Sequence, residues 1–555
     1  MSMPTLKKIQ VKINDTVHQV PRGTTLQELL EKFSENVIPT TAALVNGELQ
    51  ELTYPLYADS IVQWLDLTTD AGLRIYKRSI NFVLLVAVSN LFPHHQLKIE
   101  HSLAKGTYCE LRGEPVLSPL DIARLQEEMQ SLVALNLPFT RREVSRDDAQ
   151  KYFASCNKPG KAQLISYKPS DTVYLYTCGS VTDYFFGPMA PNTGCLKYFE
   201  LRPFDKGFIL IVPDKDNPTG FSPYREPKKL AAVFSESEHR GELLGVDNLA
   251  QLNELIQSGQ ESDIIQIAET LHERNLHKIS NDICANRDVR LVLIAGPSSS
   301  GKTTFAQRLS IQFRVNGIKP VAISLDNYFV DREINPRDEN GEYDFEHINA
   351  LDLELFNKHL EELVAGKEVT IPLYDFKTGR RMPKGEKVKI EPNQILIVEG
   401  IHGLNELLTA SISQKNKRKI YVSALTQLSI DDYNPIPSSD TRLIRRMARD
   451  LQFRGTSVQD TLKRWDSVRR GEEKYIFPYQ EDADYIFNSA LAYELAILKG
   501  LVEPELEKLP SWIPEYVEAK RLLYFLEYII PISAEKVPLN SILREFCGGS
   551  CFNTC

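Results

Sequence analysis

The chain has 555 residues, which is too many for one hydrophobic core, and this length predicts three or four domains. Hydrophobic residues make up 42% of the chain and charged residues 25%, which argues against a largely disordered protein. The net charge of −9 argues against a protein that grips nucleic acid mainly through bulk positive charge.

Residues 1–68 have the pattern of a small β-rich module. Residues 9–13 alternate apolar and polar side chains as a half-buried strand does, and Thr24 or Thr25 can cap the helix that follows. Asn46-Gly47 is a strong hairpin signal. This order of strands and one helix predicts a β-grasp fold. The segment 45–52 resembles the TGS domain found ahead of threonyl-tRNA synthetase.

Residues 69–222 resemble the editing domain of threonyl- and alanyl-tRNA synthetases, which implies an α+β fold. The resemblance is carried by Ser118-Pro119-Leu120-Asp121, by residues 137–146, by Gly187-Pro188 and by residues 191–194. That family binds a metal through a His-x-x-x-His pair and a later Cys and His. The matching positions here are Arg78, Phe82, Phe185 and Met189, none of which suits zinc. The resemblance therefore implies a domain without its metal and without the editing reaction.

Contact of this N-terminal half with RNA or tRNA is left open by its residues. Basic residues are not in excess over acidic ones there, and the lysines near Tyr167 fit a solvated loop. Residues 213–222 are rich in turn-forming residues and predict a boundary. Leucine and isoleucine then recur at helical spacing, which predicts a helical connector over residues 223–288.

A phosphate-binding loop is the strongest signal in the chain. Residues 296–303 read GPSSSGKT and fit G-x-x-x-x-G-K-[ST], a loop whose main-chain N–H groups surround nucleotide phosphates. An apolar strand-like run, residues 291–295, precedes the loop, and a helical pattern with Phe305, Leu309 and Phe313 on one face follows it. The expected ATP-binding residues of this segment are Gly296, Pro297, Ser298, Ser299, Ser300, Gly301, Lys302, Thr303 and Thr304.

Two carboxylates follow further strand-like segments. Asp326 comes after residues 321–325, and Glu399 comes after residues 395–398. In parallel α/β sheets, ligands bind at the carboxyl ends of the strands, so both carboxylates should lie near the phosphate loop. Glu399 and the Thr303 hydroxyl are predicted to hold Mg²⁺, and Lys302 to neutralise the β- and γ-phosphates.

A stripe of arginines lies on one face of a predicted helix. Arg442, Arg445, Arg446 and Arg449 recur at i, i+3, i+4 and i+7. Because these charges repel one another, the helix is predicted to meet an anion; the alternative is a solvated face paired with Asp440 and Asp450. Upstream, Tyr374 and Phe376 can stack on a base, although as core residues of a hairpin they would look the same.

These motifs, in this order, resemble uridine kinase, a P-loop family close to phosphoribulokinase, over residues 289–510. The resemblance implies a parallel α/β kinase domain in which Asp326 is the general base and Lys302 is catalytic. It implies that Arg449 and Arg454 bind ATP phosphates. The substrate-binding residues that it implies are Tyr328, Asp344, Tyr374, Phe376, Arg381 and Arg446.

The chain departs from that family where the base would be recognised. Gly379 stands where the family has a histidine, Thr456 where it has an arginine, and Arg464 where it has a glutamine. An insertion, residues 426–439, precedes the arginine helix. Phosphoryl transfer is therefore predicted more firmly than uridine as the acceptor.

The whole chain resembles a group of long nucleoside kinases that carry a TGS domain. We predict a multidomain α/β and α+β enzyme that uses ATP and Mg²⁺ to phosphorylate a nucleoside 5′-hydroxyl, with uridine or cytidine favoured. The alternatives are a tRNA- or RNA-binding P-loop ATPase or kinase and a kinase of a non-nucleoside alcohol.

The remaining expectations concern location and the chain end. The longest apolar run, residues 82–88, is too short to span a bilayer, and no apolar signal core is present, so we expect a cytoplasmic, non-membrane protein. We also expect a homo-oligomer. Residues 511–555 are a C-terminal extension. Its cysteines, Cys547, Cys551 and Cys555, are expected to lie in a frayed end rather than in a metal site.

Overall fold

The N-terminal module folds as a mixed five-stranded sheet with one helix against it. The computed structural model describes residues 7–34, 37–103, 105–337, 341, 343–375 and 378–552. The sheet has the order β2-β1-β5-β3-β4, with β1 and β5 parallel and the outer pairs antiparallel, which is the predicted β-grasp arrangement. The elements are β1 (Lys8–Ile13), β2 (Thr16–Pro21), α1 (Leu26–Phe33), β3 (Thr40–Val45), β4 (Glu48–Glu51) and β5 (Ser60–Asp66). Thr25 caps α1, as predicted, and Glu28 completes a capping box.

The next region packs two antiparallel sheets against a long buried helix. The sheets have the orders β11-β12-β7-β6 and β10-β9-β8. Ser118 caps α3, and Asp121 completes a capping box. The elements are α2 (Asp70–Leu91), β6 (Gln96–Leu103), β7 (Gly106–Arg112), α3 (Pro119–Ala134), β8 (Thr140–Ser145), α4 (Arg146–Ser155), α5 (Pro159–Ser166), β9 (Thr172–Cys178), β10 (Val181–Asp183), β11 (Glu200–Phe204) and β12 (Gly207–Ile211).

Three helices follow, and then the sheet that carries the phosphate loop. The helices are α6 (Lys228–Leu244), α7 (Leu249–Gln257) and α8 (Glu261–Ala285), all within residues 223–288. The sheet has the order β14-β19-β13-β20-β23 with every pairing parallel. Its strands are β13 (Leu291–Ala295), β14 (Lys319–Ser324), β19 (Gln394–Glu399), β20 (Lys417–Ser423) and β23 (Tyr485–Asn488). The predicted fold class, multidomain α/β and α+β with a parallel P-loop sheet, is confirmed.

Helices and short hairpins complete the C-terminal half. Phe305, Leu309 and Phe313 are fully buried on the inner face of α9, as predicted. The remaining elements are α9 (Lys302–Val315), α10 (Leu353–Val364), β15 (Val369–Ile371), β16 (Tyr374–Asp375), β17 (Arg380–Arg381), β18 (Glu386–Val388), β21 (Ser429–Asp431), β22 (Asn434–Pro435), α11 (Ser438–Arg449), α12 (Val458–Tyr475), α13 (Glu494–Glu507), α14 (Tyr516–Leu526) and α15 (Arg544–Cys547). Across the described residues, no helix combines the length and the apolar character needed to cross a bilayer.

The C-terminal end is packed, which corrects the expectation of a frayed terminus. Ser541, Ile542, Leu543 and Phe546 are fully buried, and Cys547 is nearly so. Cys551 is exposed, and Cys555 lies outside the described residues. The apolar side chains of Ile542, Leu543 and Phe546 bury this segment against the kinase half.

The insertion predicted at residues 426–439 joins the two halves of the chain. It forms the β21–β22 hairpin, and the Ile99 N–H donates to the Asp432 carbonyl at 2.8 Å. Beside this contact, the buried Lys161 ammonium pairs with the buried carboxylates of Asp183 and Asp431, the second at 3.3 Å. Three charges that are removed from water here depend on one another for compensation.

Lys161→Met is expected to lower the free energy of unfolding by about 3 kcal/mol, because it leaves two buried carboxylates with less positive charge. The loss is not larger because Lys158 also pairs with Asp183 and keeps part of the positive charge in place. Urea denaturation measures the change, with Lys151→Met, at an exposed position of α4, as the matched control. Equal stability of the two variants would contradict a structural role for this cluster.

Candidate active site

The phosphate loop lies between β13 and α9 in a backbone conformation suited to anions. Ser299 and Gly301 have positive φ angles of 58° and 84°. Such left-handed residues turn successive N–H groups toward one concavity, and the N-terminus of α9 adds its positive end. A Cβ on Gly296 would lie 1.9 Å from the Val422 carbonyl oxygen, so only glycine fits there. The buried hydroxyls of Ser299 and Ser300 have no hydrogen-bond partner among the described residues.

Lys302 is held over this loop by main-chain oxygens. Its ammonium donates to the carbonyls of Gly296 at 2.9 Å and Pro297 at 3.0 Å. Burial lowers the pKa of Lys302, while the nearby carboxylates of Glu399 and Glu545 oppose that shift. The lysine is therefore in place to meet phosphate oxygens with its charge.

Thr303 and Glu399 meet as predicted. The Thr303 hydroxyl lies 3.2 Å from each carboxylate oxygen of Glu399, which ends β19. Burial raises the pKa of the Glu399 carboxyl to about 7, with Lys302 opposing and Asp326 adding to the rise. The Glu399 carboxylate and the Thr303 hydroxyl together offer oxygen ligands of the kind that Mg²⁺ prefers.

Asp326 follows β14, in the neighbouring position at the same end of the sheet. Its main-chain N–H donates to the Ser324 hydroxyl at 3.3 Å, and its side chain is exposed to solvent in the cleft. The crowding of protein atoms around the carboxyl raises its pKa, and the positive charges of Lys302, Arg454 and Arg449 oppose the rise. The structure thus places Asp326 within the electrostatic reach of Lys302, Arg449 and Arg454.

The loop at residues 343–347 lines the side of the cleft beyond Asp326. Asp344 accepts a hydrogen bond from the Tyr475 hydroxyl at 2.6 Å. The Glu346 carboxyl makes no hydrogen bond or ion pair with any described residue. Burial raises its pKa to about 7, with the negative charge of Glu472 adding to the rise and Lys302 opposing it. The sequence analysis missed Glu346, because it named Asp344 from the same short motif.

His402 is a second residue that the sequence analysis missed. It lies three residues after Glu399, is 2% exposed, and neither ring nitrogen has a hydrogen-bond partner among the described residues. Burial lowers the pKa of His402 to about 4, with His347 adding to the effect, so the ring is neutral at physiological pH. A neutral imidazole beside Tyr475 can donate one hydrogen bond and accept another.

The arginine stripe of α11 divides into structural and site-facing residues, which corrects both readings of the sequence. Arg442 and Arg445 are buried and pair with Glu472 and Glu494. The Arg446 guanidinium donates to Asp450 at 2.6 Å and to the Ser298 hydroxyl at 3.0 Å, so it lies against the phosphate loop. Asp440, expected to pair with this stripe, instead accepts from Arg521.

Two predicted substrate residues have structural roles. The Tyr328 ring is fully buried, and its hydroxyl lies 3.0 Å from Nδ1 of His359, so it cannot reach a substrate without leaving the core. Arg381 donates to Asp352 and to the carbonyls of Phe329 and Tyr328, which ties the loop after β14 in place. The prediction that Tyr328 and Arg381 bind substrate is therefore corrected. The sequence alone does not distinguish a buried tyrosine or an ion-paired arginine from one that faces a ligand.

The β16–β17 hairpin carries the rest of the predicted acceptor site. Tyr374 pairs in register with Arg381, and its ring lies 5.6 Å from that of Phe329. Phe376 lies outside the described residues. At Gly379, where the related family has a histidine, a Cβ would lie 2.7 Å from Nε of Arg332. Arg332 therefore lies beside Gly379, the position of the family's histidine.

The four positions that match metal ligands in the N-terminal half form a packed cluster. Phe82, Phe185 and Met189 are buried, and the two rings lie 4.8 Å apart. Arg78 donates to the Pro188 carbonyl at 2.7 Å. Aromatic and sulfur atoms fill the space, so these residues do not fit a zinc ion.

The two halves of the chain are similar to different known proteins. Residues 291–495 match the family model described as the phosphoribulokinase/uridine kinase family. A uridine kinase from Chloroflexus aurantiacus is 33% identical over 198 residues, which are 36% of this chain and 85% of that protein. A threonine–tRNA ligase from Desulforamulus reducens is 32% identical over 196 residues in the N-terminal half, which are 35% of this chain and 31% of that protein.

Among solved structures, D-glycerate 3-kinase from Cryptococcus neoformans is 13% identical, with a TM-score of 0.27, over 38% of this chain and 89% of that one. The chain spans about a third of the length of the threonine–tRNA ligases that it matches.

Binding of Mg²⁺ with nucleotide is expected to strengthen as the pH rises from about 6 to 8. Below pH 7 the Glu399 carboxyl, whose pKa is about 7, holds a proton that the cation must displace, and above it the carboxylate is free. Isothermal titration in buffers of different ionisation enthalpy should show proton release below pH 7, which Glu399→Gln removes. Glu391→Gln, at an exposed position, is the control, and proton release that survives Glu399→Gln would contradict the assignment.

Proposed function

The chain belongs to the phosphoribulokinase/uridine kinase family, and on this premise we propose that it transfers the γ-phosphoryl group of ATP to the 5′-hydroxyl of a nucleoside. Uridine and cytidine are the favoured acceptors. One observation carries the proposal: Lys302, the Thr303–Glu399 pair and Asp326 converge at the carboxyl ends of the adjacent strands β13, β19 and β14.

Each of these residues has one task in the proposed transfer. Asp326 accepts the proton of the acceptor hydroxyl as the oxygen attacks the γ-phosphorus. Lys302 neutralises charge that develops on the phosphate oxygens, and the main-chain N–H groups of the loop hold the remaining phosphates. Thr303 and Glu399 would hold Mg²⁺, which, when bound, neutralises phosphate charge and orients the transferring group. Positioning supplies most of the reduction of the barrier.

The raised pKa of Asp326 suits a base. A carboxylate crowded by protein atoms binds a proton more strongly, and the positive charges of Lys302 and Arg454 oppose this rise in its pKa. The same positive charges become free to stabilise the transferring phosphoryl group once Asp326 has taken the proton.

Acceptor recognition is proposed for Glu346, Asp344 and His402. The Glu346 carboxylate can accept hydrogen bonds from sugar hydroxyls. The Asp344 oxygens already accept from the Tyr475 hydroxyl and from the Glu346 N–H, and each can accept one more hydrogen bond. The neutral ring of His402 can bind a group that both donates and accepts. Neutral and hydroxyl-rich acceptors therefore fit this side of the cleft better than anionic ones.

A non-nucleoside alcohol is the second candidate acceptor. It is favoured by Arg332, which lies beside Gly379 where the family has a histidine that contacts the base. ATP consumption against nucleosides, sugars and tRNA separates the two candidates. Turnover with a sugar or a polyol and none with nucleosides would replace the first proposal by the second.

The N-terminal half is proposed to have a binding role without a reaction of its own. Its similarity to threonine–tRNA ligases suggests contact with tRNA, while the packed cluster at Arg78, Phe82, Phe185 and Met189 excludes zinc from the matching positions. A salt-dependent shift of the purified protein on tRNA would support that role, and no shift at low salt would remove it.

Asp326→Asn is expected to lower kcat by on the order of 10²–10⁴, the usual effect of removing a positioned base, while ATP binds as before. Steady-state kinetics with the best acceptor and a separate measurement of ATP affinity check both parts. Asp288→Asn, at an exposed turn before β13, is the matched control. Undiminished kcat in Asp326→Asn would show that the base lies elsewhere.

Glu346→Gln is expected to raise KM for the acceptor by about 10- to 100-fold with KM for ATP unchanged. The reason is that a hydrogen bond to a carboxylate is stronger than one to an amide of the same shape. Glu354→Gln, on the outer part of α10, provides the control. If KM rose for ATP as much as for the acceptor, Glu346 would be assigned to the phosphate site and not to acceptor recognition.

A further inference from the structure

The C-terminal segment, residues 541–549, packs directly on the phosphate loop. A Cβ on Gly301 would lie 2.4 Å from Cγ2 of Ile542. Ile542, Leu543 and Phe546 are fully buried, and the Phe546 ring lies 5.0 Å from the guanidinium of Arg445. Arg544 donates to the Gly548 carbonyl within the segment and to the Val537 carbonyl just before it, which fixes the shape of the segment. The segment is therefore a fixed part of the nucleotide site.

Glu545 extends from this segment to the N-terminus of α9. Its Oε2 accepts from the Thr304 N–H at 3.2 Å and from the Thr304 hydroxyl at 2.9 Å. The Thr304 N–H belongs to the first turn of the helix, where N–H groups have no acceptor within the helix. These are the N–H groups that a phosphate-binding loop offers to phosphate oxygens. The Glu545 carboxylate thus lies where a phosphate would bind.

The charges around Glu545 are those of the phosphate site. Arg449 Nη1 lies 3.6 Å from Oε1 of Glu545, which is long for a hydrogen bond. Among the described residues, Nε of Arg449 has no hydrogen-bond partner although it is buried. Arg449 is therefore only partly compensated by Glu545 and would gain contacts from a polyphosphate.

We propose that Glu545 is an internal competitor for nucleotide phosphate. Its carboxylate binds Thr304 and Arg449 when no phosphate does, and it must rotate away when a nucleotide binds, so the C-terminal segment sets the affinity of the site. A carboxylate and a phosphate cannot share the same donors, because both are negatively charged. The inference rests on the nucleotide-binding part of the proposed function.

Only the Glu545 side chain has to move in this exchange. Its neighbours Ile542, Leu543 and Phe546 stay anchored in the core, and rotation about side-chain torsions takes the carboxylate off the helix N-terminus. The rival role is that Glu545 holds Thr304 and Arg449 in position for the nucleotide. The two roles predict opposite changes in affinity when the charge is removed.

The test measures the dissociation constants of ATP, AMP and adenosine for the full chain, in the presence of Mg²⁺, by isothermal titration. In Glu545→Gln, ATP and AMP are expected to bind at least about fivefold more tightly, as a coupling between two sites of ordinary strength gives. Adenosine, which has no phosphate, is expected to bind as in the unaltered protein. Glu535→Gln removes the same charge from an exposed position of the same C-terminal region and should change nothing.

Weaker or unchanged binding of ATP in Glu545→Gln would overturn the proposal, as would an equal gain for adenosine. Absence of ATP binding in the unaltered protein would count against the proposed function instead. Hydrogen exchange of the unaltered protein provides a test that needs no variant. Because only the side chain moves, amide exchange in residues 541–552 should not become faster when ATP binds, and faster exchange would show that the segment itself is displaced and would overturn the side-chain exchange.

Discussion

Positive charge that is gathered to bind phosphate has to be balanced by the protein itself when phosphate is not bound. Around the phosphate loop, Arg442 pairs with Glu472, Arg445 with Glu494, Arg446 with Asp450 and Arg449 with Glu545. Two of these arginines are wholly buried, where an unpaired charge would cost several kcal/mol. The position of α11 therefore depends on carboxylates supplied by α12, α13 and α15. Because α11 contacts the phosphate loop, the shape of the loop depends on them too.

This dependence gives the four pairs different roles. Arg442 donates to both carboxylate oxygens of Glu472 and to the Ser298 carbonyl of the loop. Arg445 donates to Glu494 and to the Ser299 carbonyl of the loop, so both arginines support its shape. Arg446 and Arg449 are themselves more exposed than the other two arginines, although their partners Asp450 and Glu545 are buried. Arg446 also donates to the Ser298 hydroxyl of the loop, and Arg449 lies 3.6 Å from Glu545. The family match ends at residue 495, so Glu545 is supplied by a part of this chain outside the matched domain. The C-terminal extension therefore supplies the carboxylate that contacts Arg449 and Thr304 beside the phosphate loop.

The sequence predicts the parts of this site that depend on neighbours in the chain. The phosphate loop, its flanking strand and helix, and the carboxylates that end β14 and β19 follow from local spacing and from the geometry of parallel sheets. Residues whose role depends on distant segments were mispredicted: Tyr328 belongs to the core, and Arg442 and Arg445 are structural. Glu472, Glu494 and Glu545 are ordinary helix glutamates in sequence, and only the packing of their helices shows which arginine each one meets.

The central claim is that a terminal phosphoryl group held at Lys302 passes to an alcohol deprotonated at Asp326. Incubation of the full chain with Mg²⁺, uridine or cytidine and ATP labelled at the γ-phosphoryl tests it most directly. The account predicts label in a nucleoside 5′-monophosphate, formed in equal amount with ADP. Label that appears only as inorganic phosphate, with every nucleoside and other alcohol left unmodified, would contradict it.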